Sequence, residues 1–280
     1  MSTVILKSYG TAKLTGWFCN MNKLVLSFVA LLAVNTQVLA NEDCFIAQEN
    51  GKIVQQEGTC SLHQAPCSTF KIAISLMGFN EGILIDAHHP EWPFKEGYAD
   101  YLDVWKQPQN PTTWIKNSCV WYSQVITQKL GMERFKQYVQ SFNYGNKDVS
   151  GDKGANNGLT RAWLSSSLRI SPQQQMAFIT HLEQGKLPVS AHAIAMTKKI
   201  LFAEELPGSW KLFGKTGSGY YLNDDGSKQL DKQVGWFVGW AQKEKRTIYF
   251  VQFVVEKDNK DFSTGRHARE LVRQKIMGLM

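Results

Sequence analysis

Residues Pro66–Lys71 read PCSTFK, and they open onto the apolar run IAISLMGF over residues 72–79. Pro66 and Ser68 are ordinary signals for the start of a helix, and they predict a helix that begins here. Ser68 and Lys71 are three residues apart, so their side chains would lie on one face of that helix, one turn apart. The stretch therefore predicts either an ordinary helix start or a serine nucleophile with its proton acceptor beside it.

Lys71 falls among apolar residues, between Phe70 and Ile72. A lysine in such surroundings loses hydration, and near a helix N-terminus it meets the positive end of the helix dipole; both effects favour the neutral amine. A neutral amine can act as a base or react with carbon dioxide to form a carbamate. The alternative is a surface lysine whose stem follows the helix while its ammonium reaches water.

The Ser-x-x-Lys spacing alone decides little, because about one chance match is expected in a chain of this length. A second match, Ser150–Lys153, lies in the polar, glycine-rich stretch KDVSGDKGANNG, which is typical of a solvated loop. Two further motifs favour the first match. Ser118-Cys119-Val120 supplies a second hydroxyl at the start of a predicted helix, and Lys215-Thr216-Gly217 lies in a predicted strand.

A strand that carries a cation, a hydroxyl and then glycine offers a backbone edge to an amide-like substrate, while the cation attracts a carboxylate. In the order SxxK, Sxx, KTG, the motifs are typical of the penicillin-recognising serine enzymes. Between the second and third motifs lie Tyr144-Gly145-Asn146 and then Trp163-Leu164, followed by SSSLRIS. With these five motifs the chain resembles the class D, or OXA-type, serine β-lactamases from about Cys44 to its C-terminus.

The resemblance implies an antibiotic-resistance enzyme that hydrolyses the β-lactam amide of penicillin-type compounds through a serine acyl-enzyme. Ser68 matches the nucleophile, and Lys71 matches a lysine that carbon dioxide or bicarbonate converts into a carbamate general base. Trp163 matches the tryptophan whose indole N–H holds that carbamate, an anion otherwise costly to bury. Ser118 matches the serine that relays a proton to the leaving nitrogen, and Val120 matches an apolar wall near the lysine.

Substrate binding is implied for four consecutive residues of one strand: Lys215, Thr216, Gly217 and Ser218. The backbone N–H groups of Ser68 and Ser218 would form the oxyanion hole. The family also binds the substrate carboxylate with a C-terminal arginine, and the stretch GRHARELV offers two. We favour Arg269 over Arg266, because Arg269 stands directly before the amphipathic run of the last helix.

The order of predicted elements favours an α+β fold of the β-lactamase/transpeptidase type. Strands at both ends of the chain enclose a helical block, which predicts one antiparallel sheet built from both termini, flanked by helices, with an inserted helical lobe. Residues 44–60 read as a hairpin with Asn50-Gly51 as its turn. The stretch from Ser118 reads as two helices split near Gly131. The other predicted elements are a helix from Ser171, strands within 210–222, 233–242 and 246–257, and a helix over 264–280.

The N-terminus carries the features of an export signal. Residues Met21–Lys23 form a short basic region, an apolar run follows over 24–34, and Val38–Ala40 has the small-residue ending of a cleavage site. We expect a signal peptide over residues 21–40, cleaved after Ala40, because the apolar run is shorter than the about 20 residues that span a membrane. The alternative is a buried helix over residues 24–40, which the polar stretch NTQ would interrupt.

Residues 1–20 contain no acidic residue and are interpreted as an upstream extension, so that translation starts at Met1 or Met21. Removal of residues 1–40 takes away three lysines and no acid, which lowers the formal charge from +7 to +4. The remaining Lys and Arg residues are scattered, so nucleic-acid binding is not favoured. We predict that residues 41–280 form a single domain, a periplasmic or secreted monomer or homodimer whose partner is a small β-lactam and not a membrane.

Export also bears on the cysteines. Cys44 and Cys60 flank the predicted hairpin, and a disulfide between them is possible in an oxidising compartment but does not follow from the sequence. Cys67 and Cys119 lie in apolar or motif segments and are interpreted as small buried residues. The sequence holds no CxxC, HExxH or clustered histidines, so neither a structural nor a catalytic metal is expected.

Two related functions compete with hydrolysis. Sensor domains of β-lactam receptors resemble class D enzymes, acylate on the same serine and stay acylated, but they follow membrane helices, whereas this chain shows only a cleavable leader. Penicillin-binding transpeptidases share SxxK and KTG, and usually carry an extra domain or anchor and a middle motif nearer Ser-x-Asn. The choice among penicillins, oxacillin, cephalosporins and carbapenems depends on loops around residues 88–114 and 223–229, and the sequence leaves it open.

Overall fold

The protein was analysed as a computed structural model that describes residues 42–258 and 261–280. Within these residues the strands are β1 Cys44–Glu49, β2 Lys52–Gly58, β3 Phe202–Leu206, β4 Trp210–Leu222, β5 Lys228–Lys243 and β6 Arg246–Lys257. They form one antiparallel sheet with the order β2-β1-β6-β5-β4-β3. The N-terminal hairpin pairs with the last strand, so strands from both ends of the chain build the sheet and the predicted α+β fold is confirmed.

The described helices are α1 Lys71–Asn80, α2 Pro111–Asn117, α3 Val120–Leu130, α4 Met132–Ser141, α5 Gly158–Arg161, α6 Pro172–Glu183, α7 Ala191–Ile200 and α8 Thr264–Met277. Helices α1 to α7 form a lobe inserted between β2 and β3, as predicted, and α8 follows the last strand. The first element of the lobe is a 3₁₀ turn, Cys67–Phe70, which continues directly into α1.

Local sequence chemistry explains several element boundaries. At the hairpin turn Asn50 and Gly51 have φ angles of 51° and 75°, the left-handed pair that a two-residue turn between antiparallel strands requires. Cys44 and Cys60 form a disulfide, the pairing that the sequence left open. Helix α6 starts with a capping box in which the Ser171 side chain accepts from the Gln174 backbone N–H, and Pro172 occupies its first turn.

One predicted boundary is wrong by two residues. Helix α3 begins at Val120 and not at Ser118, although the split from α4 at Gly131 is as predicted. Ser118 ends α2 in a left-handed conformation with φ 55°, and its backbone N–H is bonded back to that helix. The serine therefore lies in a sharp bend between two helices, where its hydroxyl leaves the helix surface.

The sheet separates two apolar layers. On one face α8 packs through Ala268, Val272 and Ile276 against a cluster that includes Phe237 and Phe250. The other face supports the larger core that contains α1 and the helical lobe. Side chains of a strand alternate between faces, so consecutive residues of β4 and β5 serve different layers.

Helix α1 is buried on all sides, since every residue from Lys71 to Phe79 is inaccessible to solvent. A helix in such a position is held by packing, and each large apolar side chain that it buries contributes about 1.5–3 kcal/mol. Lys71 lies in this apolar helix without any exposed surface. The prediction of a surface lysine is therefore excluded, and the prediction of a desolvated amine is confirmed.

Within residues 42–258 and 261–280 no helix is long and apolar enough to cross a membrane. The expected leader over residues 21–40 and the upstream extension over residues 1–20 lie outside the described residues and stay predictions.

Candidate active site

Ser68 and Lys71 lie together at the junction of the 3₁₀ turn and α1. The Nζ of Lys71 donates to the Oγ of Ser68 at 3.1 Å. Burial lowers the pKa of Lys71 from its ordinary 10.5 to about 8, because an ammonium in an apolar surrounding loses its hydration. About one amine in ten is then neutral at pH 7, some 300-fold more than for an exposed lysine. The arrangement supplies a base within hydrogen-bonding distance of a hydroxyl.

A second hydroxyl–amine pair comes from elements far apart in sequence. The Nζ of Lys215, on β4, donates to the Oγ of Ser118 at 3.1 Å and to the carbonyl of Thr216 at 3.0 Å. Burial, and then the positive charges of Lys71 and Arg269, hold the pKa of Lys215 well below its ordinary value. Lys71 and Lys215 are therefore close enough to influence each other's charge.

Strand β4 approaches the nucleophile turn with its backbone. A Cβ added to Gly217 would lie 2.9 Å from the carbonyl oxygen of Pro66 and 3.2 Å from the backbone nitrogen of Ser68. Only glycine fits such a contact, which explains its place in the KTG motif. The Oγ of Ser218 accepts from the Gly265 N–H at 2.9 Å. The Ser218 side chain is therefore bonded to the first turn of α8.

Trp163 is fully buried, and its ring lies 5.7 Å from the ring of Phe70, the residue before Lys71. Among residues 42–258 and 261–280 its Nε1–H has no hydrogen-bond partner. An indole nitrogen only donates, and a buried donor without a partner costs about 1–3 kcal/mol. Only an acceptor could therefore satisfy this N–H group.

Two cysteines interact with Lys71, and Val120, the residue after the second of them, is buried at the start of α3. Cys67 and Cys119 are buried free thiols, as predicted, and burial raises their pKa values to about 12 and about 11. Both thiols stay protonated at neutral pH, and Lys71 gains no counter-ion from them.

The two C-terminal arginines have different surroundings. Arg269 is bonded to Glu204 of β3 at 2.7 Å, and its guanidinium lies 5.9 Å from the Phe237 ring. Arg266 is mostly exposed and pairs with Asp261 at 3.6 Å; it follows Gly265, whose N–H bonds to Ser218. Arg269 is thus held by an acidic partner on β3, whereas Arg266 lies beside the residue that bonds to Ser218.

Sequence reasoning missed Ser165 as a site residue. Its Oγ accepts from the backbone N–H of Tyr220 at 2.9 Å, which ties the segment after Trp163 to β4. The run SSSLRIS carried the signal, but nothing in it distinguishes one serine from the next. The second Ser-x-x-Lys match, Ser150–Lys153, lies in a loop outside helices and strands, as predicted.

No group of three or more His, Cys, Asp or Glu side chains in the described part of the chain could hold a metal ion.

One relative of low sequence identity is the methicillin resistance mecR1 protein of Staphylococcus aureus. It is 27% identical over 240 residues, which are 84% of this chain and 36% of that protein.

Comparisons with known proteins identify the family of the chain. The family model of the penicillin binding protein transpeptidase domain matches residues 26–278. β-Lactamase OXA-9 of Klebsiella pneumoniae is 38% identical over 231 residues, 82% of this chain and 84% of the relative. β-Lactamase OXA-1 of Escherichia coli is 41% identical over 203 residues, 71% of this chain and 70% of the relative. The crystal structure of the OXA-427 class D β-lactamase, 45% identical, superposes with a TM-score of 0.79 and covers 85% of this chain and 100% of that chain. The chain belongs to the class D, or OXA-type, β-lactamases within the penicillin binding protein transpeptidase domain family.

Proposed function

We propose that this protein hydrolyses the lactam amide of penicillin-type antibiotics through an acyl-enzyme on Ser68. The observation that carries the proposal is the fully buried Lys71 amine at 3.1 Å from the Ser68 hydroxyl. A hydroxyl is a weak nucleophile at neutral pH and needs an adjacent base. Burial gives Lys71 a pKa of about 8, within about one unit of neutral pH, where a general base is most effective.

The reaction has two balanced halves. In the first, the base at position 71 takes the Ser68 proton, Oγ bonds to the lactam carbonyl carbon, and the C–N bond breaks. The base then gives this proton to Ser118, while the Ser118 hydroxyl passes its own proton to the leaving nitrogen, and Lys215 at 3.1 Å stabilises the hydroxyl as it does so. In the second half, the base, again unprotonated, takes a proton from a water molecule whose oxygen adds to the ester carbonyl. The bond from that carbon to Ser68 Oγ breaks, and the base returns the proton to Oγ, which restores Ser68 and releases the opened acid.

Lys71 would react with carbon dioxide as a neutral amine, and the Nε1–H of Trp163 would hold the product. The buried, unpartnered donor of Trp163 supports this step, as does the lowered pKa of Lys71. When present, the carbamate supplies the general base. It is more effective than the amine, because the amine is mostly protonated at neutral pH and then cannot accept a proton. Val120 would keep water away from one side of the lysine.

The backbone of β4 would hold the substrate. Lys215, Thr216 and Gly217 form an edge beside the Ser68 turn, and Gly217 approaches the Ser68 nitrogen closely. The N–H groups of Ser68 and Ser218 would stabilise the negative oxygen that forms during acyl transfer. Arg269, or Arg266 in its place, would bind the substrate carboxylate.

Export of the domain over residues 41–280 to the periplasm, after cleavage near Ala40, is part of the proposal. The Cys44–Cys60 disulfide supports it, because disulfides persist in oxidising compartments and are rare in the cytosol. Such a location places the enzyme where β-lactams reach the cell wall.

Mass spectrometry of the intact mature protein mixed with benzylpenicillin tests the proposal, followed in time beside the lactam absorbance. We expect an adduct on Ser68 that forms and disappears while the lactam is consumed, and neither adduct nor consumption with Ser68→Ala. A stable adduct without turnover, even with bicarbonate, would instead indicate a sensor or penicillin-binding protein. Turnover by Ser68→Ala would exclude Ser68 as the nucleophile.

A further inference from the structure

Tyr144, Gly145 and Asn146, here called the YGN turn, contact the segment that follows Trp163. The Nδ2 of Asn146 donates to the Ser167 carbonyl at 2.8 Å, and its Oδ1 accepts from the Arg169 N–H at 3.0 Å. The Asn146 backbone N–H also donates to the Arg169 carbonyl at 2.9 Å. One asparagine thus fixes both the donor and the acceptor groups of a three-residue stretch.

Gly145 makes this contact possible. Its φ angle is 54°, and a Cβ at this position would lie 2.0 Å from the carbonyl oxygen of Arg169. No other residue fits without moving one backbone away from the other. The YGN turn and the Ser167–Arg169 stretch therefore lie closer together than a residue with a Cβ would allow.

The contact reaches Trp163 through a closed loop. The Leu168 N–H donates to the carbonyl of Ala162 at 3.0 Å, so the stretch that Asn146 holds is bonded to the residue before Trp163. Ser165 is fixed to β4 through Tyr220. The position of the indole therefore depends on the segment that carries it and on the residues bonded to that segment, which are Asn146 and Tyr220.

Tyr144 connects the same turn to the nucleophile side. Its buried ring lies 5.0 Å from the ring of Phe70, and its hydroxyl donates to Gln175 Oε1 at 3.4 Å. The Nε2 of Gln175 donates to Thr69 Oγ1 at 2.9 Å, and that hydroxyl donates to the Pro66 carbonyl at 2.7 Å. The chain of bonds ends on the 3₁₀ turn that carries Ser68.

We propose that the YGN turn sets the distance between Lys71 and Trp163, with Asn146 as the positioning residue. Tyr144 fixes the turn that precedes Lys71, and Asn146 fixes the segment that carries Trp163. The inference rests on the proposed function, because the YGN turn would orient the indole N–H toward a carbamate on Lys71. Asn146 touches neither substrate nor the reacting atoms and acts only through Trp163.

Two variants of Asn146 test the inference. Asn146→Ala removes both side-chain bonds to the segment. Asn146→Asp keeps the acceptor for the Arg169 N–H and replaces the donor to Ser167 by a carboxylate oxygen, which cannot bond to the Ser167 carbonyl. Ser190→Ala is the matched control, since Ser190 caps α7 through the Ala193 N–H and its backbone contacts Asn80, at the far end of α1 from Lys71. Each protein is titrated with ¹³C-labelled bicarbonate, and the carbamate signal is recorded by NMR beside the unfolding free energy.

We expect Asn146→Ala to raise the bicarbonate concentration for half-maximal carboxylation about 2- to 10-fold, the range of one or two exposed hydrogen bonds. Asn146→Asp should lie between Asn146→Ala and wild type, and Ser190→Ala should lose stability without a change in carboxylation. Activity at saturating bicarbonate should recover in both Asn146 variants. That recovery separates positioning from loss of the fold.

The inference fails if both Asn146 variants carboxylate as readily as wild type while their unfolding free energy falls as in Ser190→Ala. If Asn146→Ala does not fold, Asn146→Asp decides alone, and an unchanged half-maximal concentration in it overturns the proposal. An absent carbamate signal in wild type would instead overturn the carbamate step of the proposed function, and the inference with it. The two failures are thus told apart by the wild-type spectrum.

Discussion

Replacing the fully buried Trp163 by phenylalanine removes one N–H group and leaves an aromatic ring in place. In the described part of the chain this N–H has no partner, so its loss should not weaken the protein that lacks carbon dioxide. Removal of an unpaired buried donor gains about 1–3 kcal/mol, and trimming the indole to a smaller ring loses packing of similar size. The two effects nearly cancel in the unfolding free energy.

The balance changes when bicarbonate is present. A hydrogen bond to a charged acceptor contributes about 1.5–3 kcal/mol, which corresponds to a change of about 10- to 150-fold in the affinity of Lys71 for carbon dioxide. At a concentration 100-fold above the dissociation constant, binding stabilises the wild type by about 2.7 kcal/mol. A variant with 100-fold lower affinity would gain only about 0.4 kcal/mol at that concentration.

The assay is chemical denaturation with and without bicarbonate, together with the ¹³C carbamate signal. Trp240→Phe is the matched control, because Trp240 is also fully buried, its Nε1 likewise has no partner among residues 42–258 and 261–280, and its ring stacks on Phe213 at 5.0 Å. We expect Trp163→Phe alone to lose the response to bicarbonate. A full response in Trp163→Phe, or its loss in Trp240→Phe as well, would refute the assignment of Trp163.

Three further outcomes are expected. Lys71→Ala should slow deacylation severely, and bicarbonate should stimulate the wild type and leave this variant unchanged; equal stimulation would exclude the carbamate. Burial lowers the pKa of Lys71 to about 8, whereas an unfolded lysine titrates near 10.4. The unfolded chain therefore binds more protons between about pH 8 and 10, and the unfolding free energy of protein without carbon dioxide should rise over that window. Denaturation at each pH should show that Lys71→Met reduces the rise by about 2 kcal/mol. Arg266→Ala and Arg269→Ala should differ in KM for benzylpenicillin, with the larger increase, about tenfold or more, marking the carboxylate binder; equal small effects would exclude both.

The parts of this structure that the sequence predicts are those set by neighbours along the chain. Asn50-Gly51 predicts its hairpin because both residues tolerate left-handed φ angles. Ser171 and Pro172 predict the start of α6 because the capping bonds lie within four residues. The burial of Lys71 also follows from its neighbours, since an apolar run on all sides leaves a helix no solvent-facing stripe.

The parts that escape prediction depend on contacts between distant residues. The bond from Lys215 to Ser118 joins residues 97 positions apart, and only the family resemblance brought them into one site. The pairing of Arg269 with Glu204 spans 65 positions, and helical amphipathicity alone favoured Arg269 without revealing this partner. The left-handed bend at Ser118 is likewise invisible in the sequence, because serine carries no preference for such a φ angle.

The charges of the two buried lysines connect the chemistry at Ser68 with substrate binding on β4. As an ammonium, Lys71 helps to lower the pKa of Lys215, so a positive charge at position 71 disfavours the charged form of Lys215. Carboxylation would replace the positive charge at position 71 by a negative one, and the interaction with Lys215 would change from repulsion to attraction. Lys215 would then stay protonated beside Ser118 and could attract the substrate carboxylate. Carboxylation of Lys71 would therefore provide the base and also keep Lys215 positively charged for the substrate carboxylate. A site without the carbamate would lack both the base and this charge.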